Sequence, residues 1–389
     1  MTDRAERLTV VGAGLVGASI ARAAVAAGVG QVRLTDADAE VRAQARALGI
    51  GHEVLDDVDG ACAGADVVIA AVPAAAVAEV LVAAAAAAPG HAILTDAASL
   101  KSDLTLEVES RLRVEVGSRA AGRFVGGHPM AGSERSGPDA ADAQLFQGAT
   151  WVLTPTATTD DDVLPRLSAL LRTFGARVVA LEPDRHDELV AIVSHLPQVV
   201  ASVLADVAAD AVEATGDAVL SVAGGGYRDT TRIAASDPAL WLPILDGNRA
   251  AVLEALEAYA GRLDAFRQAL GAGDVAGVEA ILARASRGRR QLAAKAEPRE
   301  VVDLVVALDD RPGQLAAATT ALGQDGVNVE DLAMRHATEG QRGALLVRVA
   351  AADRARAIEA LSAQGLYAHV DTTETDVDAA GSDGTGGRP

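Results

Sequence analysis

The residues best equipped for chemistry lie in Gly126-Gly127-His128-Pro129-Met130-Ala131-Gly132-Ser133-Glu134, where a lone imidazole follows an apolar run ending at Val125. Glycine and proline flanks favour a tight turn after that run. A histidine there, with an ordinary pKa of about 6.5, is suited to take a proton at neutral pH. A second imidazole sits in Ser194-His195-Leu196-Pro197-Gln198, inside a helical pattern that Pro197 opens by removing a backbone hydrogen bond. His195 reads equally well as a core histidine bonded to a backbone carbonyl. In Gly224-Gly225-Gly226-Tyr227-Arg228-Asp229-Thr230-Thr231-Arg232, two arginines four apart would share one helix face. Such a pair suits two-point capture of a carboxylate, unless it is an ordinary solvated pair balanced by Asp229.

These residues need a scaffold, and the first half of the chain alternates strand and helix. The apolar run 8–11 leads into Gly12-Ala13-Gly14-Leu15-Val16-Gly17 and then an alanine-rich helix. The first glycine permits the sharp turn, the second lets a pyrophosphate approach the backbone, and the third lets helix and strand pack closely. The helix N-terminus then offers free amides to phosphate. A second strand, 31–35, ends in Asp36, whose carboxylate can accept both ribose hydroxyls and repels a 2′-phosphate, which favours NAD over NADP. Further strands are expected at 66–72, 92–96, 123–125, 150–153 and 177–181. Repeated crossovers imply a Rossmann-type parallel sheet with right-handed connections. Gly12, Asp36, Val72 with Pro73, Ser99 and His128 each follow a different strand, so all are expected along the carboxyl edge, where open parallel sheets bind ligands. From Glu182-Pro183-Asp184 the pattern becomes helical to about Lys295, with Asp237-Pro238 opening one helix near Trp241.

Composition limits the function classes. At 389 residues the chain has room for two or three domains. A net charge of −20 leaves no basic face for nucleic acid. The most apolar region, 65–94, is interrupted by Pro73, Glu79, Pro89 and Gly90 and fails as a membrane span. The N-terminus lacks a secretory pattern, so a soluble cytoplasmic enzyme or binding protein is expected. The lone Cys62 excludes an internal disulfide and reads as a small buried apolar residue. The seven histidines form no HxxxH or HExxH pair, so no metal site is expected, and no GxSxG elbow is present for acyl transfer. The helical region's broad apolar faces suggest a homodimer.

The last part reads as a separate module. Residues 285–300 are basic, broken by Gly288 and Pro298, and look like a linker. Beyond them the order strand, helix, strand, strand, helix, strand describes a ferredoxin-like βαββαβ unit. Residues 374–389, rich in Gly, Asp and Ser, read as a disordered tail. The expected division is 1–182, 183–296, 300–373 and the tail.

Taken together, the glycine fingerprint, Thr95-Asp96 with Ser99-Leu100-Lys101, the HPMAG segment at His128, Ser194-His195-Leu196-Pro197 and the RDTTR segment at Arg228 resemble the prephenate/arogenate dehydrogenase family of tyrosine biosynthesis, over roughly residues 8–295. The resemblance implies an NAD-dependent oxidative decarboxylation of prephenate, or of its amino counterpart arogenate. His128 would engage the substrate's C4 hydroxyl with Ser99 beside it, and Arg232 would hold a carboxylate. Glu134 and Asp229 would lie near the pocket mouth, and His195 would open a substrate-binding segment. Gln198 stands where some relatives carry a second histidine, which bears on prephenate against arogenate. A β-hydroxyacid dehydrogenase of the same architecture would instead need a catalytic lysine or another base in the helical region. The turn Asp310-Arg311-Pro312-Gly313 with Gly326-Val327-Asn328 resembles an ACT regulatory domain, which implies an amino-acid effector such as tyrosine near Asp310, Pro312, Gly313 and Asn328.

Overall fold

The computed structural model describes residues 7–132, 135–216, 218–296, 301–309, 311, 313–336 and 342–370. The chain divides into two compact units, Met1–Asp264 and Ala265–Pro389.

The first unit is built on eight strands: β1 (Arg7–Val11), β2 (Gln31–Thr35), β3 (Glu53–Val54), β4 (Val67–Ala70), β5 (Ile93–Asp96), β6 (Phe124–Pro129), β7 (Thr150–Thr154) and β8 (Arg177–Ala180). Their order across the sheet is β3-β2-β1-β4-β5-β6-β7-β8. The first six follow the Rossmann order, with its reversal between β1 and β4. Helices α1 (Leu15–Ala26), α2 (Ala39–Ala47), α3 (Val58–Cys62), α4 (Ala74–Ala87), α5 (Ser102–Arg111), α6 (Ser118–Gly122) and α7 (Val163–Thr173) make the connections. Alternate residues of one strand serve opposite faces. Leu8 and Val10 pack with Ala18, Ile20 and Ala24 of α1, while Val11, Val68 and Ala70 pack with Val77, Leu81 and Ala84 of α4. Alanine on both helices lets them lie close to the sheet.

The sheet is not wholly parallel. β7 pairs antiparallel with β6, placing His128 opposite Val152, and only then parallel with β8. The cause lies in the connection. A single 3-10 turn at Pro138–Ala140 joins β6 to β7, and without a crossover helix the chain cannot return to run parallel. β6 also extends through Pro129, so His128 belongs to the strand itself, and the turn comes after it.

The helical part of this unit runs through α8 (Pro183–Val190), a π-helical turn at Ala191–His195, α9 (Leu196–Thr215), α10 (Ala218–Ser221), α11 (Gly225–Thr231), α12 (Pro238–Gly247) and the first part, to Asp264, of α13 (Arg249–Gly271). Asp237 caps α12 through the Ala239 amide at 2.9 Å, with Pro238 in the first turn. Its buried core is small, centred on Ala191, Val252 and Ala255. Ile192, Val193, Val203, Val207, Leu242 and Leu253 are exposed. Among the described residues one helical run, Pro183–Ala214, is long and apolar enough by length and composition to cross a membrane.

The second unit includes α14 (Val275–Ala296), which runs through most of the stretch read from sequence as a linker. Helical propensity in Ala, Leu, Arg and Gln outweighs the isolated Gly288 there. Then follow β9 (Val301–Asp309), α15 (Gln314–Gln324), β10 (Val329–His336), β11 (Arg342–Ala350), α16 (Arg354–Ala363) and β12 (Ala368–Val370). They form an antiparallel sheet in the order β10-β11-β9-β12, the ferredoxin-like arrangement expected. An Arg348–Asp303 fork links neighbouring strands at 2.7 and 2.8 Å. The tail 374–389 lies outside the described residues.

Candidate active site

Two adjoining regions of the first unit hold the candidate residues for chemistry. The β1–α1 turn opens with Gly12 at φ +102°, where a Cβ would meet the Ala71 carbonyl oxygen at 2.3 Å, and a Cβ on Gly17 would meet Gly12 O at 1.9 Å. Both positions exclude side chains for reasons internal to the fold. Gly14 differs: a Cβ there has no protein atom within 4 Å. Its bareness leaves space beside the first amides of α1, where a pyrophosphate fits. Ala13 is buried beside it and donates its amide to Asp36 Oδ2 at 2.7 Å; Asp38 N donates to Oδ1 at 2.9 Å. The second-strand carboxylate is thus fixed against the glycine turn. A cleft of about 560 Å³ at the β1/β4 reversal is lined by Gly12, Gly14, Asp36, Arg42, Val72 and Pro73, among others. Leu15 and Val16, in the first turn of α1, are half-buried. The residues present fit a dinucleotide.

His128 is 9% exposed, at the far end of β6. Its Nδ1 lies 2.8 Å from His186 Nε2, and His186 Nδ1 lies 2.7 Å from Asp187 Oδ1. The order of partners assigns the protons. The carboxylate requires N–H on His186 Nδ1, which leaves His186 Nε2 as an acceptor, so His128 Nδ1 donates to it and His128 Nε2 keeps its lone pair. Burial pushes the His128 pKa well below the ordinary histidine value, helped by His186, Lys101 and His195, with Asp187 opposing. The ring is therefore neutral and basic at Nε2 at neutral pH.

Asp187 joins the helical region to the sheet. Burial alone would raise its pKa, but the His186 hydrogen bond and the Ser102 amide hold it below the usual carboxylate value. Its oxygens accept from Lys101 N at 3.0 Å and Ser102 N at 2.8 Å, capping α5, which has no side-chain cap of its own. Asn248 Nδ2 donates to the Asp187 carbonyl at 2.8 Å and lies 3.2 Å from His195 Nδ1. His195 thereby rests on an asparagine rather than on a backbone carbonyl, with Trp241 edge-on at 6.1 Å. Burial lowers its pKa too.

Beneath the strand, fully buried Asp96 is paired with Lys101 and accepts from Ala98 N at 2.8 Å and Gly127 N at 3.3 Å. This ties the half-buried Ser99 loop to the histidine strand.

The other sequence-stated candidates lie on α9 and beyond. Gln198 is buried, and its Nε2 donates to the Ile233 carbonyl at 3.1 Å, holding the 3-10 turn Arg232–Ala235. Arg228, Asp229 and Arg232 are exposed. The helix ends at Thr231, so Arg232 opens a tighter turn and does not share one α-helical face with Arg228, which donates to the Ala223 carbonyl at 3.0 Å. Glu134 lies outside the described residues, as do Asp310 and Pro312 of the C-terminal turn. Gly313, left-handed at φ +92°, and Asn328 are described. Sequence reasoning missed His186, Asp187, Asn248 and the Asp96–Lys101 pair. An adjacent His-Asp in the charged opening of an otherwise apolar helix was the available signal.

With this geometry in place, comparison with known proteins is decisive. Residues 20–180 match the prephenate dehydrogenase nucleotide-binding domain, and residues 182–284 match the prephenate dehydrogenase dimerization domain. The chain belongs to the prephenate dehydrogenase family. It is 30% identical over 375 residues to prephenate dehydrogenase of Bacillus subtilis, an alignment covering 94% of this chain and 98% of the relative. It is 33% identical over 270 residues to cyclohexadienyl dehydrogenase of Zymomonas mobilis, covering 69% and 90%. Among solved structures, the Aquifex aeolicus prephenate dehydrogenase in complex with hydroxyphenyl propionate and NAD+ superposes with a TM-score of 0.66 at 27% identity, covering 75% of this chain and 100% of that one. A Synechocystis arogenate dehydrogenase gives 0.63 at 28%, covering 74% and 99%. The apolar run Pro183–Ala214 falls within the residues that match the dimerization domain.

Proposed function

We propose that the chain oxidatively decarboxylates prephenate to 4-hydroxyphenylpyruvate with NAD+. The observation that carries this reading is the His128–His186–Asp187 relay, which leaves a neutral imidazole nitrogen free at the carboxyl edge of a dinucleotide-binding sheet. The Gly12–Gly17 turn and Asp36 would hold NAD+, which would supply a hydride acceptor for C4 of the ring. His128 Nε2 takes the proton of the C4 hydroxyl, and the imidazolium that results is stabilised through His186 by Asp187, the logic of a base oriented by a second partner. Ser99 hydrogen-bonds beside the hydroxyl. Departure of the ring carboxylate as carbon dioxide leaves its bonding electrons in the ring and restores aromaticity, so no covalent enzyme intermediate is required. Arg232 holds a substrate carboxylate. Arg228, Asp229, Glu134, His195 and Gln198 surround the substrate, with Gln198 also fixing the turn that carries Arg232.

The assembly is a homodimer, supported by the large apolar side chains left exposed on α9, α12 and α13, and the setting is cytoplasmic. The C-terminal βαββαβ unit is an ACT module that senses tyrosine around Gly313 and Asn328. Side-by-side initial rates, read at 340 nm with NAD+ and either prephenate or arogenate, test the assignment: prephenate turns over faster. A faster arogenate rate would make the product tyrosine itself. Added tyrosine lowers the prephenate rate; no effect on rate or melting temperature would remove the sensing role.

A further inference from the structure

The adenosine end of the cleft holds two arginines that the dinucleotide reading has not used. Arg42 and Arg46 are one helical turn apart on α2, which begins just after Asp36. Arg42 Nη1 donates to the carbonyls of Asp36 at 2.7 Å and Ala37 at 3.0 Å, so its guanidinium lies against the backbone that presents the ribose-binding carboxylate. Asp56, in the β3–α3 loop, lies against both arginines. Its Oδ1 is 3.5 Å from Arg42 Nε and 2.5 Å from Arg46 Nη2, while Arg46 Nε donates to the Val54 carbonyl at 3.2 Å. Asp36, Ala37, Arg42 and Asp56 all line the same cleft.

An arginine beyond the second strand is how such folds receive a ribose 2′-phosphate, and a guanidinium pairs most strongly with phosphate when it is not already neutralised. Here the arginines are present but occupied, and any phosphate would also face two carboxylates. We propose that Asp56 is a positioning residue for cofactor choice: by holding Arg42 and Arg46 it keeps closed a latent 2′-phosphate site, so rejection of 2′-phosphorylated dinucleotides rests on Asp56 as well as Asp36. The inference depends on reading the Gly12–Asp36 turn as the dinucleotide site.

The test uses the full chain as Asp36→Asn, Asp56→Asn, the double variant, and the double variant carrying Arg42→Ala, with Asp36→Ser as an alternative should Asp36→Asn fail to fold. Each is titrated with 2′,5′-ADP, 5′-AMP and NADH by fluorescence or calorimetry. Removing both carboxylates tightens 2′,5′-ADP about tenfold beyond Asp36→Asn alone, on the scale of one freed charge-assisted contact. The gain weakens with salt, disappears with Arg42→Ala, and has no counterpart for 5′-AMP. A double variant no tighter than Asp36→Asn overturns the proposal, and so does equal tightening for 5′-AMP, which would mark Asp56 as merely structural. Failure of the underlying reading would show separately, as wild-type protein that does not bind NADH, and would take the proposal with it.

Discussion

At the scale of single residues the proposed chemistry rests on which nitrogen of His128 is free. Replacing it with asparagine removes the base and leaves the glycine turn untouched. His128→Asn is therefore expected to lose about 10²–10⁴-fold in kcat while NADH binds as in the wild type; near-normal turnover would withdraw the assignment. Burial lowers the His128 pKa below 6.5, so the acid limb of kcat/KM is expected to fall below pH 6.5, and a limb at or above that value would contradict the buried relay. The sign for stability follows from proton uptake. Between the lowered native pKa and about 6.5 the unfolded chain binds the proton first, so stability falls as pH drops through that window. Melting curves across it should be flatter for His128→Asn than for the wild type. His128, Ser99 and Asp36 were legible in the sequence because each follows an apolar run that reads as a strand. His186, Asp187 and Asn248 were not. His186 meets His128, and Asn248 meets His195 and Asp187, across 53 to 61 positions of chain, and beyond the adjacent His-Asp pair no local pattern announces those contacts.

At the scale of elements the glycines divide into two kinds. Gly127 admits no Cβ because the Asp96 carbonyl oxygen would lie 2.5 Å away, and backbone cannot retreat as a flexible side chain can. Gly127→Ala should cost about 1–3 kcal/mol, read as a fall in Tm. Gly14→Ala, with open space around it, should leave Tm within error and weaken NADH by at least about tenfold, because the added methyl occupies the pyrophosphate's place. A lowered Tm with unchanged NADH affinity would reverse the distinction. The sequence spoke clearly for the strands, since alternation and glycine punctuation are local. It was silent on the reversed direction of β7 because a strand's polarity relative to its neighbour depends on the connection. The 20 residues between Pro129 and Thr150, with no helical periodicity in their sequence, were the clue. The same limit applies to residues 285–296, where charge and one glycine suggested a linker but helical propensity prevailed.

At the scale of the molecule, the proposed homodimer would cover the exposed valines and leucines around the small buried core of the helical region. Val203 and Val207, one turn apart on α9, are 57% and 61% exposed. Val203→Asp with Val207→Asp should convert a dimer to a monomer in sedimentation at micromolar concentration and lower activity with it. A wild-type chain that sediments as a monomer would end the dimer reading.

Asp187 belongs to the helical region, yet its carboxylate terminates a helix of the sheet domain and orients the imidazole pair. One anion therefore acts as latch and as tuning element together. Were the helices to part from the sheet, α5 would lose its cap and His128 its partner His186 in the same movement.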